Sequence, residues 1–396
     1  MPPGRKKKTL SKPKYDVQED HGHIAQTVMQ KLREDFSAVD DVVFISDFLK
    51  QDPIVGWVST GAFLLDCAIG FPYGLGLPMP AIVEIVGQEA TLKSATTYAI
   101  LGNVQRMGGW GNIIDVESSF THEYGHLAKL AMGPEMLGYT QAARLEDVLR
   151  ITQRTIDHHF SLAPSMPLAI GIDSLASTTV VEEQETDGYT ARAIHARLMA
   201  KYLRSGLVSS LYAKVSADSG DELLGRPLIV IFINQLKATM ASNPYAAQLD
   251  SFGGRGLKYH ARVRIELSRI KVLQDDKDEV SVGIRCKAKI LKNKVAQDKR
   301  EAFFDFRYAT GIEDFFPVMD FMKEHKAIAM AGVRFVWRDK SYWPGAFREF
   351  LRDNPEEWDE LRRQCLLVIG KAWRDRTVPL VETEDGDNTK LVLDEG

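Results

Sequence analysis

The middle of the chain alternates short, almost wholly apolar runs with longer stretches of helical period. Residues 81–86, 111–116, 168–172 and 228–233 are near-continuous aliphatic runs, and helix-period patterns fall near 94–107, 121–131, 145–159 and 191–213. A strand that is apolar on both faces must be covered on both faces, and strands separated by helices pair in parallel through crossovers. The pattern therefore predicts an α/β fold, a mostly parallel sheet with helices on both sides. Residues 260–272 and 281–293 are more polar and alternate, as in His-Ala-Arg-Val-Arg-Ile-Glu-Leu-Ser-Arg-Ile from His260, so antiparallel strands are expected at one edge. A further helix is expected over 23–36, with Ile24, Val28, Met29 and Leu32 on one face. Beyond Gly311 the pattern changes to amphipathic helices rich in Trp and Phe, which sets a domain boundary near 310. No internal repeat is visible.

Composition narrows the class. With 396 residues, 44% hydrophobic and 26% charged, the chain has the balance of a globular protein of two or three parts. A net charge of −4 excludes a protein coated in positive charge, so contact with nucleic acid has to come from a local patch. Charge is segregated at the ends: Arg5, Lys6, Lys7, Lys8, Lys12 and Lys14 precede the first acid, and Glu382, Glu384, Asp385, Asp387, Asp394 and Glu395 crowd the last twenty residues. Both tails lack apolar content and read as disordered. Cys67, Cys286 and Cys365 are too far apart in sequence for a disulfide framework or a four-cysteine zinc site. The basic N-terminus has no apolar core behind it, and the longest apolar run, 227–233, is too short to span a bilayer. A soluble, cytoplasmic protein without a membrane contact is expected.

The most informative junction follows the run at 83–86, where Gly87-Gln88-Glu89-Ala90-Thr91-Leu92-Lys93-Ser94 opens a helix. A phosphate-binding loop needs backbone N–H groups at phosphate oxygens, a lysine for the terminal phosphates and a hydroxyl for Mg²⁺. Gly87, Lys93 and Ser94 stand at that spacing, but Leu92 replaces the usual second glycine. A helix that begins early would spare Leu92 a positive φ, and on that basis the leucine is expected to be sterically acceptable. The next strands deliver Asp115 and Glu117, then Asp173 and Ser174, then Asn234 and Gln235 at their C-terminal ends. Polar groups at successive parallel-strand ends are suited to phosphate, Mg²⁺ or water.

In this order the segments resemble the RecA family of DNA strand-exchange recombinases, over roughly residues 25 to 370, with phage-encoded members similar in accepting a bulky residue before the lysine. Ser59-Thr-Gly61, Leu65-Asp66, Leu77-Pro78-Met79 and Ile82-Val83-Glu84-Ile85 resemble the lead-in to the family's P-loop. The resemblance implies that residues 87–94 and Asp173 bind ATP, with Mg²⁺ at Ser94 and, through water, Asp173. It gives Glu117 the water-activating role, Tyr124 the stacking on adenine and Gln235 the sensing of the γ-phosphate. Lys292-Asn293-Lys294 looks like the segment that reaches the ATP of a neighbouring subunit, and Phe350-Leu-Arg-Asp353-Asn-Pro355-Glu resembles the C-terminal domain. Thr121 stands where the family often has an Asp at adenine, which loosens the expected base selectivity.

Two segments match the family's DNA-binding loops: 182–194, leading into a helix with Arg197 and Arg204, and 237–257. Arg197, Arg204, Lys237 and Arg255 are the candidate phosphate contacts, Met240 a candidate wedge between bases, and Gly253-Gly254 a place for backbone N–H groups to approach phosphates. Tyr259, just beyond, is a coupling residue or a core residue. A competing pattern, His122-Glu123-Tyr-Gly-His126 with Glu146 as third ligand, fits a zinc hydrolase, but Gly125 weakens the helix such a site requires. The resemblance thus implies a DNA-dependent ATPase with a basic tail and an oligomerisation helix over 1–50, a RecA-like ATPase core over 51–310, a small α/β C-terminal domain over 311–376 and an acidic tail over 377–396. Its expected partners are single- and double-stranded DNA, further copies of itself in a helical filament, and a single-strand-binding protein or loader. A hexameric motor and an ATPase-dead DNA scaffold are the alternatives.

Overall fold

The computed structural model describes residues 54–180, 188–212, 214–216, 222–238, 249–251, 254–275 and 280–373. The expected helix at 23–36 and both charged tails lie outside them. The elements run β1 (Gly56–Val58), α1 (Phe63–Gly70), β2 (Leu77–Met79), β3 (Ala81–Gly87), α2 (Lys93–Arg106), β4 (Trp110–Asp115), α3 (His122–Leu127), β5 (Leu137–Gln141), α4 (Leu145–Leu162) and β6 (Leu168–Asp173). Next come α5 (Gly188–Tyr202), a π-helical turn at Leu203–Leu207, α6 (Val208–Leu211), β7 (Lys214–Ser216), β8 (Glu222–Leu224), β9 (Leu228–Ala238), β10 (Leu249–Ser251) and α7 (Gly254–His260). The remainder is β11 (Val263–Gln274), β12 (Ser281–Asn293), β13 (Glu301–Arg307), β14 (Gly311–Glu313), α8 (Phe315–Glu324), β15 (Ala329–Ala331), β16 (Arg334–Trp337), β17 (Lys340–Tyr342), α9 (Pro344–Asp353) and α10 (Pro355–Ala372).

The central sheet has the order β14-β13-β12-β11-β3-β9-β6-β4-β5, with β10 on β9. From β11 to β5 the pairs are parallel, and β11 to β14 pair antiparallel, as the alternating runs predict. Successive residues serve opposite helical layers. Val83, Ile85, Ile229 and Ile231 pack with α1, α2 and the C-terminal helices, while Ile82, Val230, Phe232 and Ile170 pack with α4, α5 and α7. This two-sided burial is why the strands read as continuous apolar runs. α4 shows the complementary logic, with Leu145, Val148, Leu149, Thr152, Ile156 and Phe160 buried at helical spacing. Phe315, Val318, Phe347, Leu361 and Ile369 join the apolar cluster that holds α1 and α2.

The pattern of apolar runs did not locate β5, β13 or the strands of the short sheet β15-β16-β17, but that sheet with α8, α9 and α10 makes the region after Gly311 mixed α/β, as expected there. It also overextended one helix, since α3 has only six residues; the helix expected over 191–213 is present over 188–211, with the π turn inside it.

Candidate functional site

β3 and β9 are paired so that Gly87 lies opposite Gln235, and β4 and β6 so that Asp115 lies opposite Asp173. Register alone thus gathers the polar strand ends at one edge. Gly87 is required there, because a Cβ would come within 2.5 Å of Leu267 O and of Thr91 Oγ1. The loop between β3 and α2 is tied to itself by Thr91 Oγ1 and Lys93 Nζ, which donate to Gln88 O at 2.8 and 2.6 Å. Gln88, Glu89 and Ala90 are exposed.

Leu92 departs from the expectation drawn from sequence. α2 starts only at Lys93, and Leu92 caps it in the left-handed region at φ 68°, ψ 21°. An early helix start therefore does not relieve this position. A non-glycine residue there costs on the order of 1–2 kcal/mol. The side chain, however, is only 6% exposed and belongs to the core cluster, and burying a leucine stabilises by roughly 1.5–3 kcal/mol. Strain and burial are of similar size, so the fold holds a bulky residue in a glycine conformation.

A cavity of about 260 Å³ opens over the loop, lined by residues 90–94 with Tyr98, Glu117, Ser119 and Tyr124. Burial lowers the proton affinity of the Lys93 ammonium, and Asp173, Glu117 and Glu89 oppose that shift. Asp173 is 3% exposed; burial raises its pKa, while hydrogen bonds from Ser94 and Tyr98 oppose the rise. Glu117 Oε1 accepts from Ser174 Oγ at 2.5 Å and Ser177 Oγ at 2.7 Å, with Gln235 Nε2 at 3.5 Å. Asp115 organises the loop instead, accepting from the N–H groups of Glu117 and Phe120 and from Tyr139 Oη. Thr121 is the side-chain cap of α3, accepting from Tyr124 N at 3.3 Å. A lysine, a hydroxyl and a buried carboxylate around a helix N-terminus are a donor set that fits a nucleotide phosphate chain with Mg²⁺.

Lys292 and Lys294 are not part of this constellation. Lys294 N bonds Arg262 O, and Arg262 N bonds Ile82 O, so the segment lies five residues of strand, about 16 Å, from the level of Gly87. Lys292 Nζ donates to Lys258 O and Tyr259 O, the last turn of α7, at 2.7 and 2.6 Å. Burial, with Lys294 and Arg264 next, lowers its pKa to about 8. Asn293 makes the turn between the two lysines, donating to Ile69 O and accepting from the N–H groups of Val295 and Ala296.

Residues 25–313 match the RecA N-terminal domain family. The protein RecA of Paenarthrobacter aurescens is 32% identical over 342 residues, covering 86% of this chain and 88% of the relative. That of Arthrobacter sp. strain FB24 is 34% identical over 316 residues, 79% of this chain and 82% of the relative. The chain belongs to the RecA family. The expectation raised by its strand-end motifs, that of a RecA-family recombinase on a mixed α/β core, is thereby met.

In this RecA-family chain the described parts of the segments singled out for DNA belong to α5, the end of β9, β10 and α7. Arg197, Arg204 and Arg255 are all exposed. Met240, Gly253 and part of the first loop lie outside the described residues, and of Lys237 only the backbone is described. Gly254 has φ +72°, and a Cβ there would stand 2.7 Å from that of Ala196, while one on Gly256 would be 3.1 Å from Ala200. Both glycines let α7 lie close against α5. Burial lowers the pKa of His260, with Lys294, Lys292 and then Arg204 adding to the shift, so these cations share one neighbourhood. Tyr259 is 73% exposed, with the Lys292 and Lys294 ammonium groups 5.9 and 5.7 Å from its ring centre, which makes it a surface residue. His122, Glu123 and His126 are exposed on the short α3, and no cluster of three metal-ligating residues occurs among the described residues. Nor is any described helix long and apolar enough to cross a membrane. Sequence reasoning missed Tyr98 and Ser177, and it placed Ser174 at a strand end without its bond to Glu117. The i, i+4 spacing of Ser94 and Tyr98, which puts both on one helix face, was the only available signal for Tyr98.

Proposed function

We propose that this protein is an ATP-dependent DNA recombinase that assembles as a helical filament on single-stranded DNA, pairs it with homologous duplex and acts in recombination and repair in the bacterial cytoplasm. The observation that carries this is the convergence of Lys93, Ser94, Asp173, Glu117 and Gln235 at one sheet edge, on a chain that belongs to the RecA family. Lys93 binds the β- and γ-phosphates, and Tyr124 stacks on the base. Ser94 and, through water, Asp173 hold Mg²⁺, which neutralises phosphate charge when bound. Glu117 accepts the proton of the attacking water, held toward it by Ser174 and Ser177. Gln235 contacts the γ-phosphate from β9, the strand that leads into the 237–257 segment, so nucleotide state is passed toward DNA. Arg197, Arg204, Lys237 and Arg255 contact phosphates there, Met240 wedges between bases, and Gly253 and Gly254 admit the backbone. Lys292 and Lys294 act on the ATP of the next subunit, which suits their distance from their own phosphate loop.

The test is direct. Electron microscopy of the full chain with single-stranded DNA and a non-hydrolysable ATP analogue should show helical filaments, and single-stranded DNA should stimulate ATP hydrolysis. Closed rings would favour a hexameric motor, and DNA binding without hydrolysis a scaffold. Lys292→Ala subunits mixed with Glu117→Gln subunits should recover part of the activity that each lacks alone, because some interfaces then pair an intact Glu117 with an intact Lys292. No recovery in co-assembled mixtures would remove the action across the interface.

A further inference from the structure

Tyr98 sits one helical turn beyond Ser94 on α2, on the same face. It is 1% exposed, and its ring packs edge-on against Phe120 and Tyr124 at centroid distances of 5.3 and 6.3 Å. Its hydroxyl donates to Asp173 Oδ2 at 3.0 Å. A phenylalanine would fill the same space and keep both ring contacts, so packing does not call for the oxygen. A buried hydroxyl is costly unless paired, and this one is paired with the carboxylate that ends β6. Fixing one carboxylate oxygen fixes the rotation of the whole group and thereby the direction in which its free lone pairs point.

We propose that Tyr98 is a positioning residue that aims the Asp173 carboxylate at the divalent cation of the bound nucleotide. This rests on the nucleotide site proposed above. Ser94 and Tyr98, four residues apart on α2, then hold Asp173 from one helix, so the phosphate loop and the carboxylate strand are set relative to one another before any ligand arrives. The device uses no loop and no second subunit.

The experiment measures the affinity of the full-length protein for a fluorescent ADP analogue, once in Mg²⁺ and once in EDTA. Tyr98→Phe should lower affinity in Mg²⁺ by about tenfold, the scale of one hydrogen bond to a charged group. In EDTA its affinity should stay within twofold of wild type. Asp173→Asn should also lose affinity in Mg²⁺, and adding Tyr98→Phe to it should cost nothing more, because the tyrosine acts through that carboxylate. Equal losses in Mg²⁺ and EDTA, no loss in either, or additive losses in the double variant would each overturn the proposal. Fluorotyrosine placed at position 98 gives a second readout that keeps the hydroxyl. Its ¹⁹F resonance should move on adding ADP with Mg²⁺ and stay in place with ADP in EDTA; equal movement in both would overturn the proposal too. A wild-type protein that binds the analogue no better than Lys93→Ala would overturn the nucleotide reading itself, and Tyr98 with it.

Discussion

Two regions of this molecule bury carboxylates against hydroxyls, and they differ in what faces the acid. Asp173 meets Tyr98 and Ser94 beside a cavity that contains the Lys93 ammonium. Asp66 accepts from Ser59 Oγ, Thr60 N and Thr60 Oγ1 at 2.5, 2.7 and 2.6 Å, with Asp314 nearby. Asp314 in turn accepts from Phe63 N at 2.9 Å and lies 3.5 Å from Arg362 of α10. Burial raises the pKa of all three acids, to about 6 for Asp66 and about 7 for Asp314. A raised carboxyl pKa by itself therefore does not mark chemistry. The Asp66–Asp314 joint fastens the start of α1 to the C-terminal helices, whereas Asp173 lies behind Ser94 and Tyr98, which line the cavity, and within reach of the charge of the buried Lys93.

The contrast breaks if substitutions at the two regions have similar consequences. The largest effect is expected from Lys93→Ala, which should abolish measurable ATP binding in a direct titration while leaving thermal unfolding close to wild type. Asp66→Asn should do the reverse. A carboxyl group whose pKa is raised from 3.8 to about 6 on folding stabilises fully below pH 3.8, and that stability is lost as pH rises to about 6. The loss is on the order of 3 kcal/mol. Denaturant unfolding should show Asp66→Asn gaining on wild type between pH 4 and pH 7, with ATP affinity unchanged; a constant offset across that range would show the joint to be ionised throughout. Glu117→Gln should reduce turnover by about a hundredfold with little change in ATP affinity or stability. The smallest effect belongs to Ser177→Ala, which removes one of two hydroxyls on Glu117 and should lower turnover by about tenfold or less at constant ATP affinity.

The sheet was legible because burial on both faces leaves an unmistakable trace: 81–86 and 228–233 could hardly be anything but inner strands. β5, with the sequence Leu-Gly-Tyr-Thr-Gln, could not be read that way, since an edge strand keeps polar residues on its exposed side. The phosphate loop was legible as spacing, since Gly87, Lys93 and Ser94 recur at fixed intervals. The conformation of Leu92 was not, because its strain is offset by contacts with residues distant in sequence. The same holds for Tyr98 and Ser177. Each acts through a single long-range hydrogen bond, to Asp173 and to Glu117, and no periodicity encodes such a pairing.

β9 does not stop at the level where Gly87 and Gln235 face each other. Gln235 lies opposite Gly87, yet the strand runs on to Ala238, and over Leu236–Ala238 it is laced to β10, with Ser251 against Leu236 and Leu249 against Ala238. A side chain at the end of a strand can swing without consequence, but one in mid-strand can be displaced only together with its ribbon. Gln235 is thus mounted like a tooth on a rack: its backbone is paired on one side with β3 and continues without a break into the segment paired with β10. If the two ends of that ribbon are linked, the link runs through backbone pairing, and breaking the β9–β10 pairing should disconnect them while leaving Gln235 in place.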